Sequence, residues 1–190
     1  MAQIIPVRCF SWRRLAVLAC LCAASVSAQS LETLGANYRK TPTPRTRAAL
    51  LRYANAHPND KNGALAMLAL GATEIDERQF GDALQHLTGA AKRLPTLADY
   101  TAYLSAISQS ELRQFSDTEK TLQPIWQATP ASPFVAKSVT LQVNSYLQDS
   151  KAALALELVQ KHLTDFTAPQ AELLLARCYE AEGNRDAAAA

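Results

Sequence analysis

The stretch GALAMLALGATEIDERQFGDALQHLTGAAKRLP, Gly63 to Pro95, sets Gly71 inside one apolar run and Ala83 near the start of the next. Small side chains at such points let two amphipathic helices cross closely, because ridges pack deeper where a neighbour presents no bulk. The spacing recurs. The positions read from it are Ala49, Ala83, Thr118, Ala152 and Ala188 for the second helix of each unit, and Gly71, Ser105, Thr140 and Ala176 for the first. One residue before the latter stand Leu70, Leu104, Val139 and Leu175. Leu87, Leu122 and Leu156, then Ala90, Ile125 and Val159, continue the second-helix face at four and seven residues on.

Composition agrees with helices. Of 190 residues, 48% are hydrophobic but only 7% aromatic, so Leu and Ala supply the apolar content. Pro95 and Pro130 close two units, while short polar turns lie at Glu77-Arg78-Gln79, Gln148-Asp149-Ser150 and Gly183-Asn184-Arg185. Pro124 falls inside the second helix of its unit, which it is expected to bend or shorten.

This pattern resembles the tetratricopeptide repeat. Leu70, Gly71, Ala83, Leu87, Ala90 and Pro95 stand at that family's signature spacings, and Leu175, Ala176, Tyr179, Gly183 and Ala188 follow it nearly as well. The resemblance covers Arg45 to Ala190 and implies an all-α fold: an α-solenoid of antiparallel hairpins wound as a right-handed superhelix. Residues 29–44 read as a short helix from Ser30 followed by a proline-rich linker, Tyr38 to Pro44. Thr46 to Asp60 then reads as a helix stopping at Pro58, with Leu31 to Tyr38 its one available partner.

Residues 1–28 have another character. Arg8, Arg13 and Arg14 precede the apolar run Leu15 to Val26, and Val26-Ser27-Ala28 offers a small-residue cleavage site, so a secretory signal peptide cut after Ala28 is expected. Arg13-Arg14 lacks the residues that follow a twin-arginine pair, and cleavage before Cys20 as a lipoprotein would leave too short an apolar core. The expected address is periplasmic or secreted. Removing three Arg and no acid leaves 16 basic and 17 acidic residues from the 19 and 17 of the chain, which gives no basic field for nucleic acid and no membrane-binding patch. Cys9, Cys20 and Cys22 leave with the signal, so Cys178 is alone and reads as a core thiol.

Chemistry-bearing patterns are sparse. Glu74, Asp76 and Glu77, like Glu180 and Glu182, read as solvated helix faces; His57, His86 and His162 have no metal-ligand spacing; glycines are too dispersed for a phosphate loop. His162, beside Lys161, reads as a cation near a helix carboxyl end. No catalytic residue, cofactor or metal is assigned. Trp126, Tyr100, Tyr103 and Tyr146 are candidates for a sugar-binding groove, though aromatics in helical repeats commonly plug the core. The inner surface is expected to carry Leu68, Ala102, Lys137 and Leu173 in one row and Ile75, Gln109, Asn144 and Glu180 in another, with no uniform charge.

The export signal together with RAALLRYANAHPND, GALAMLALG and LADYTAYLSAISQ resembles the N-terminal helical region of bacterial soluble lytic murein transglycosylases. That resemblance implies a non-catalytic module acting in peptidoglycan turnover, with protein or peptidoglycan as its partner and a catalytic domain outside this chain. Ala188 begins a helix the chain does not complete, so the chain is expected to be part of a longer protein. The alternative is a stand-alone exported scaffold that binds another envelope protein.

Overall fold

Caps and prolines cut this chain into helices, and the cuts are visible residue by residue in the computed structural model, which describes residues 29–188. The segment read as a signal, with its cysteines and cleavage site, lies outside the described residues. Helix α1 is Leu31–Lys40 and α2 is Pro44–Ala56. Thr43 caps α2: its hydroxyl accepts the Thr46 N–H at 3.2 Å, and Thr46 Oγ1 accepts the Thr43 N–H at 3.0 Å. Pro44 takes the first helical position, where a missing N–H costs nothing. The linker is therefore only Thr41 to Thr43, shorter than expected, since Pro44 starts a helix and Tyr38 to Lys40 finish one.

Helix α3 is Lys61–Asp76, opened by Asp60, whose carboxylate accepts the Gly63 N–H at 2.8 Å. Then follow α4 (Phe80–Ala91), α5 (Ala98–Glu111), α6 (Phe115–Trp126), α7 (Val135–Gln148), α8 (Ala152–Lys161), α9 (Ala168–Glu182) and the single turn α10 (Arg185–Ala188). The described residues contain no strand. Pro124 does not shorten α6, which spans twelve residues as α4 does, although it removes the N–H that would donate to the Lys120 carbonyl.

Four helix pairs are joined by one kind of turn. Arg78, Arg113, Ser150 and Gly183 each adopt positive φ, at 59°, 59°, 57° and 80°. In each, the following N–H donates to the carbonyl five residues back: Gln79 to Glu74, Gln114 to Gln109, Lys151 to Tyr146 and Asn184 to Tyr179. In the first two the sequence is Arg-Gln-Phe, and the guanidinium lies over the Phe ring at 5.6 Å and 5.7 Å.

These turns fix a register that counting from one unit to the next misplaces. Five residues after the left-handed position come Ala83, Thr118, Ala155 and Ala188; seven before it come Gly71, Ala106, Val143 and Ala176. Ala155, Ala106 and Val143 are completely buried, whereas Ala152 and Thr140, the residues assigned from sequence, are half-buried and three positions out of step. Ser105 is one position out. Val159, likewise, falls in the column of Leu87 and Leu122, in place of Leu156. Two of the three positions of the slip in α7 and α8 arise because eight residues, 127–134, separate α6 from α7, against six between α4 and α5. Gly71 and Ala83 do meet: a Cβ on Gly71 would stand 3.1 Å from the Ala83 carbonyl oxygen and 2.6 Å from Leu87 Cγ.

Every helix packs on its neighbours in the chain, and α1, α3, α5, α7 and α9 also touch in succession. The buried apolar residues follow the same order. Leu34, Leu50 and Leu70 join α1, α2 and α3; Leu68, Leu87 and Leu104 join α3, α4 and α5. Ala106, Leu122 and Ile125 with half-buried Leu141 join α5, α6 and α7, and Val143, Val159 and Cys178 join α7, α8 and α9. Each fully buried Leu contributes about 1.5–3 kcal/mol, so each three-helix cluster is a local core. Helix α1 thus belongs to the packed unit that begins at Leu31. Leu175, Ala176, Tyr179 and Ala188 are half-buried.

Candidate binding cleft

Two groups of titratable side chains lie at helix junctions, and they differ in whether the protein has already used their polar atoms. The first surrounds Glu74, which corrects the expectation of a solvated carboxylate: it is fully buried, on the side of α3 wedged between α2 and α4. Arg47 Nε donates to Glu74 Oε1 at 2.8 Å, His86 Nδ1 meets Oε2 at 2.7 Å, and Arg47 Nη2 donates to Asp82 at 2.9 Å. Burial, then the Glu74 charge, pushes the Tyr38 hydroxyl above its ordinary pKa. A cleft of about 420 Å³ opens beside this network between Pro42, Arg47, Glu77 and Asp82. Its central charges are paired inside the protein, so the arrangement acts as a tie across three helices.

The second group lines a cleft of about 280 Å³ between α6 and α8, with Tyr146 of α7 beneath. Trp126 ends α6, and its indole N–H donates to Ser138 at 2.8 Å, which fixes the ring. His162 follows α8 with its ring 5.9 Å from the indole. Its Nδ1 lies 2.8 Å from Asp165 Oδ2, so the proton of the neutral ring belongs on Nδ1 and Nε2 presents a lone pair. That Nε2 is buried and has no hydrogen-bond partner. His162 does stand at the carboxyl end of α8, and it is buried there, 8% exposed. Counted from the turns, it stands twelve residues after the left-handed position, in the column of Ala90 and Ile125, so a core position delivers it to the cleft.

Glu119, Gln123 and Gln127 from α6 and the residue after it, and Glu157 and Lys161 from α8, form the polar rim. Tyr146 is 9% exposed; burial, and after it the Glu119 carboxylate, push its hydroxyl up to about 12. Gln142, fully buried one turn earlier, makes no hydrogen bond of ordinary length. The four aromatics proposed for one groove separate: Tyr100 and Tyr103 pack against Phe134 at 5.7 Å and 5.5 Å, and only Trp126 and Tyr146 reach the cleft. The rows expected on an inner face do not share an environment either, since Leu68 is buried and Leu173 is 63% exposed.

Cys178 is buried, which raises its thiol to about 11. Among the described residues no cluster of His, Cys, Asp and Glu is arranged to hold a metal ion, and no helix is long and apolar enough to cross a membrane. No family model matches the chain, and neither do the curated proteins or the solved structures compared with it. What fold and site define together, over the described residues, is an all-helical protein of chain-ordered hairpins with a small polar cleft beside the unpartnered Nε2 of His162.

Proposed function

We propose that the chain is a tetratricopeptide-like scaffold, a right-handed superhelix of hairpins, serving as the non-catalytic module of an exported lytic transglycosylase-like protein in peptidoglycan turnover. The observation that carries the scaffold reading is the fourfold recurrence of one turn, a left-handed residue with the same backbone bond, joined to local cores that each involve three helices in chain order. Elements that contact only near neighbours are what a stacked-repeat architecture requires. The envelope reading is supported by the leader-like residues 1–28 and by the phrases that resemble that family.

Two measurements test it. Fusing residues 1–28 to a reporter active only after export should give activity in a bacterial host; a reporter that stays inside contradicts the address. The chain should then co-sediment with purified peptidoglycan sacculi. Retention by an envelope protein with none on sacculi would replace the cell-wall module with the stand-alone scaffold.

A further inference from the structure

We infer that the cleft between α6 and α8 is a binding site for one pyranose ring of a neutral saccharide. A sugar ring has an apolar C–H face and a rim of hydroxyls, each both donor and acceptor. The cleft answers both. Trp126 offers an indole held in place through its N–H, a surface on which such a face stacks. Around it stand acceptors in Glu119 and Glu157, a donor in Lys161, and amides in Gln123 and Gln127 that supply either.

His162 makes this a built site. Its Nδ1 is engaged by Asp165, and its buried Nε2 lone pair finds no donor in the protein. Leaving such an acceptor unpaired costs free energy, which a ligand hydroxyl recovers once the side chains lining the cleft shift to let it reach Nε2. The charge balance selects among ligands: two carboxylates oppose an anion, and Lys161 opposes a simple cation, whereas a neutral polyol uses both signs. A volume of about 280 Å³ holds a ring and not a long chain, so further sugar units would run out over the exposed ends of α6 and α8. The inference rests on this geometry and stands whether or not the chain works in cell-wall turnover.

The chain has two tryptophans, Trp12 and Trp126, so the full chain carrying Trp12→Phe reports from the cleft alone. Titration with N,N′-diacetylchitobiose or cellobiose should change Trp126 emission saturably, with half-saturation on the order of millimolar. Glu157→Gln with Gln123→Ala, both exposed and dispensable for folding, should weaken binding roughly fivefold while the melting temperature holds. Emission that never saturates with either sugar overturns the inference. So does tighter saturation by tetramethylammonium, which would mark a cation cage, and so does unchanged affinity in the double variant.

Discussion

Gly71 and Gly81 are both helical glycines, and alanine at the two should act in opposite directions. At Gly81 a Cβ meets nothing within 4 Å, so Gly81→Ala gains helix propensity and is expected to stabilise by about 0.5 kcal/mol. At Gly71 the same methyl runs into Leu87 Cγ at 2.6 Å and overpacks the α3–α4 crossing. The expected net loss is about 1 kcal/mol even after the propensity gain, read from urea unfolding of the two variants side by side. Arg47 is the more sensitive half of its pair with Glu74, because the carboxylate is fully buried and the guanidinium is not. Arg47→Met should cost about 3 kcal/mol, and adding Glu74→Leu should recover most of it; a double variant as unstable as the single one would refute the tie. Tyr146 gives a pH test. The unfolded chain loses this proton near 10 and the folded chain near 12, so the folded state binds more protons in that window and stability falls as pH rises through it. Phenolate absorbance followed against pH should show late-ionising tyrosines, Tyr146 among them beside buried Tyr38 and half-buried Tyr103, after the ordinary ones. Glu74 and His162 were illegible in the sequence for different reasons: His162 sits in the apolar column of Ala90 and Ile125, recognised only when the register is right, whereas Glu74 shares its column with Gln109, Tyr146 and Tyr179, and partners such as Arg47 and Asp165 are found only in space.

Helices and turns carry the next set of effects. Ser150 occupies a left-handed position without the aromatic stacking that Arg78 and Arg113 receive, so Ser150→Gly should relieve backbone strain and stabilise by about 0.5 kcal/mol in thermal unfolding. A loss of stability would mean that the Ser150 side chain holds the turn. At this scale the sequence was most readable. Alternating small and large apolar residues, Pro44, Pro58 and Gly183 point to ends that the structure places within a few residues. The register of α7 and α8 was not readable, because the eight-residue connection before α7 carries no periodicity; in α5 the neighbouring small residues Ser105 and Ala106 fit the column equally well. Ala152, three residues before the buried Ala155, shows how a one-turn slip still lands on alanine.

For the whole molecule, stability resides in a chain of local cores, so damage should spread to adjacent helices and no further. The cleft follows from that arrangement: α6 and α8 each pack on α7, and the space between them is left to Trp126, Tyr146 and His162. The most direct test of this ordering is a methyl NOESY spectrum of the chain in solution. Cross-peaks are expected from Leu87 methyls to the Gly71 α-protons, from Leu122 to Ala106, and from Val143 to Ala155, with none between the Leu50 and Val159 methyls of clusters at opposite ends of the series. Absence of the first three, or a strong peak between Leu50 and Val159, would contradict the stacked-hairpin account.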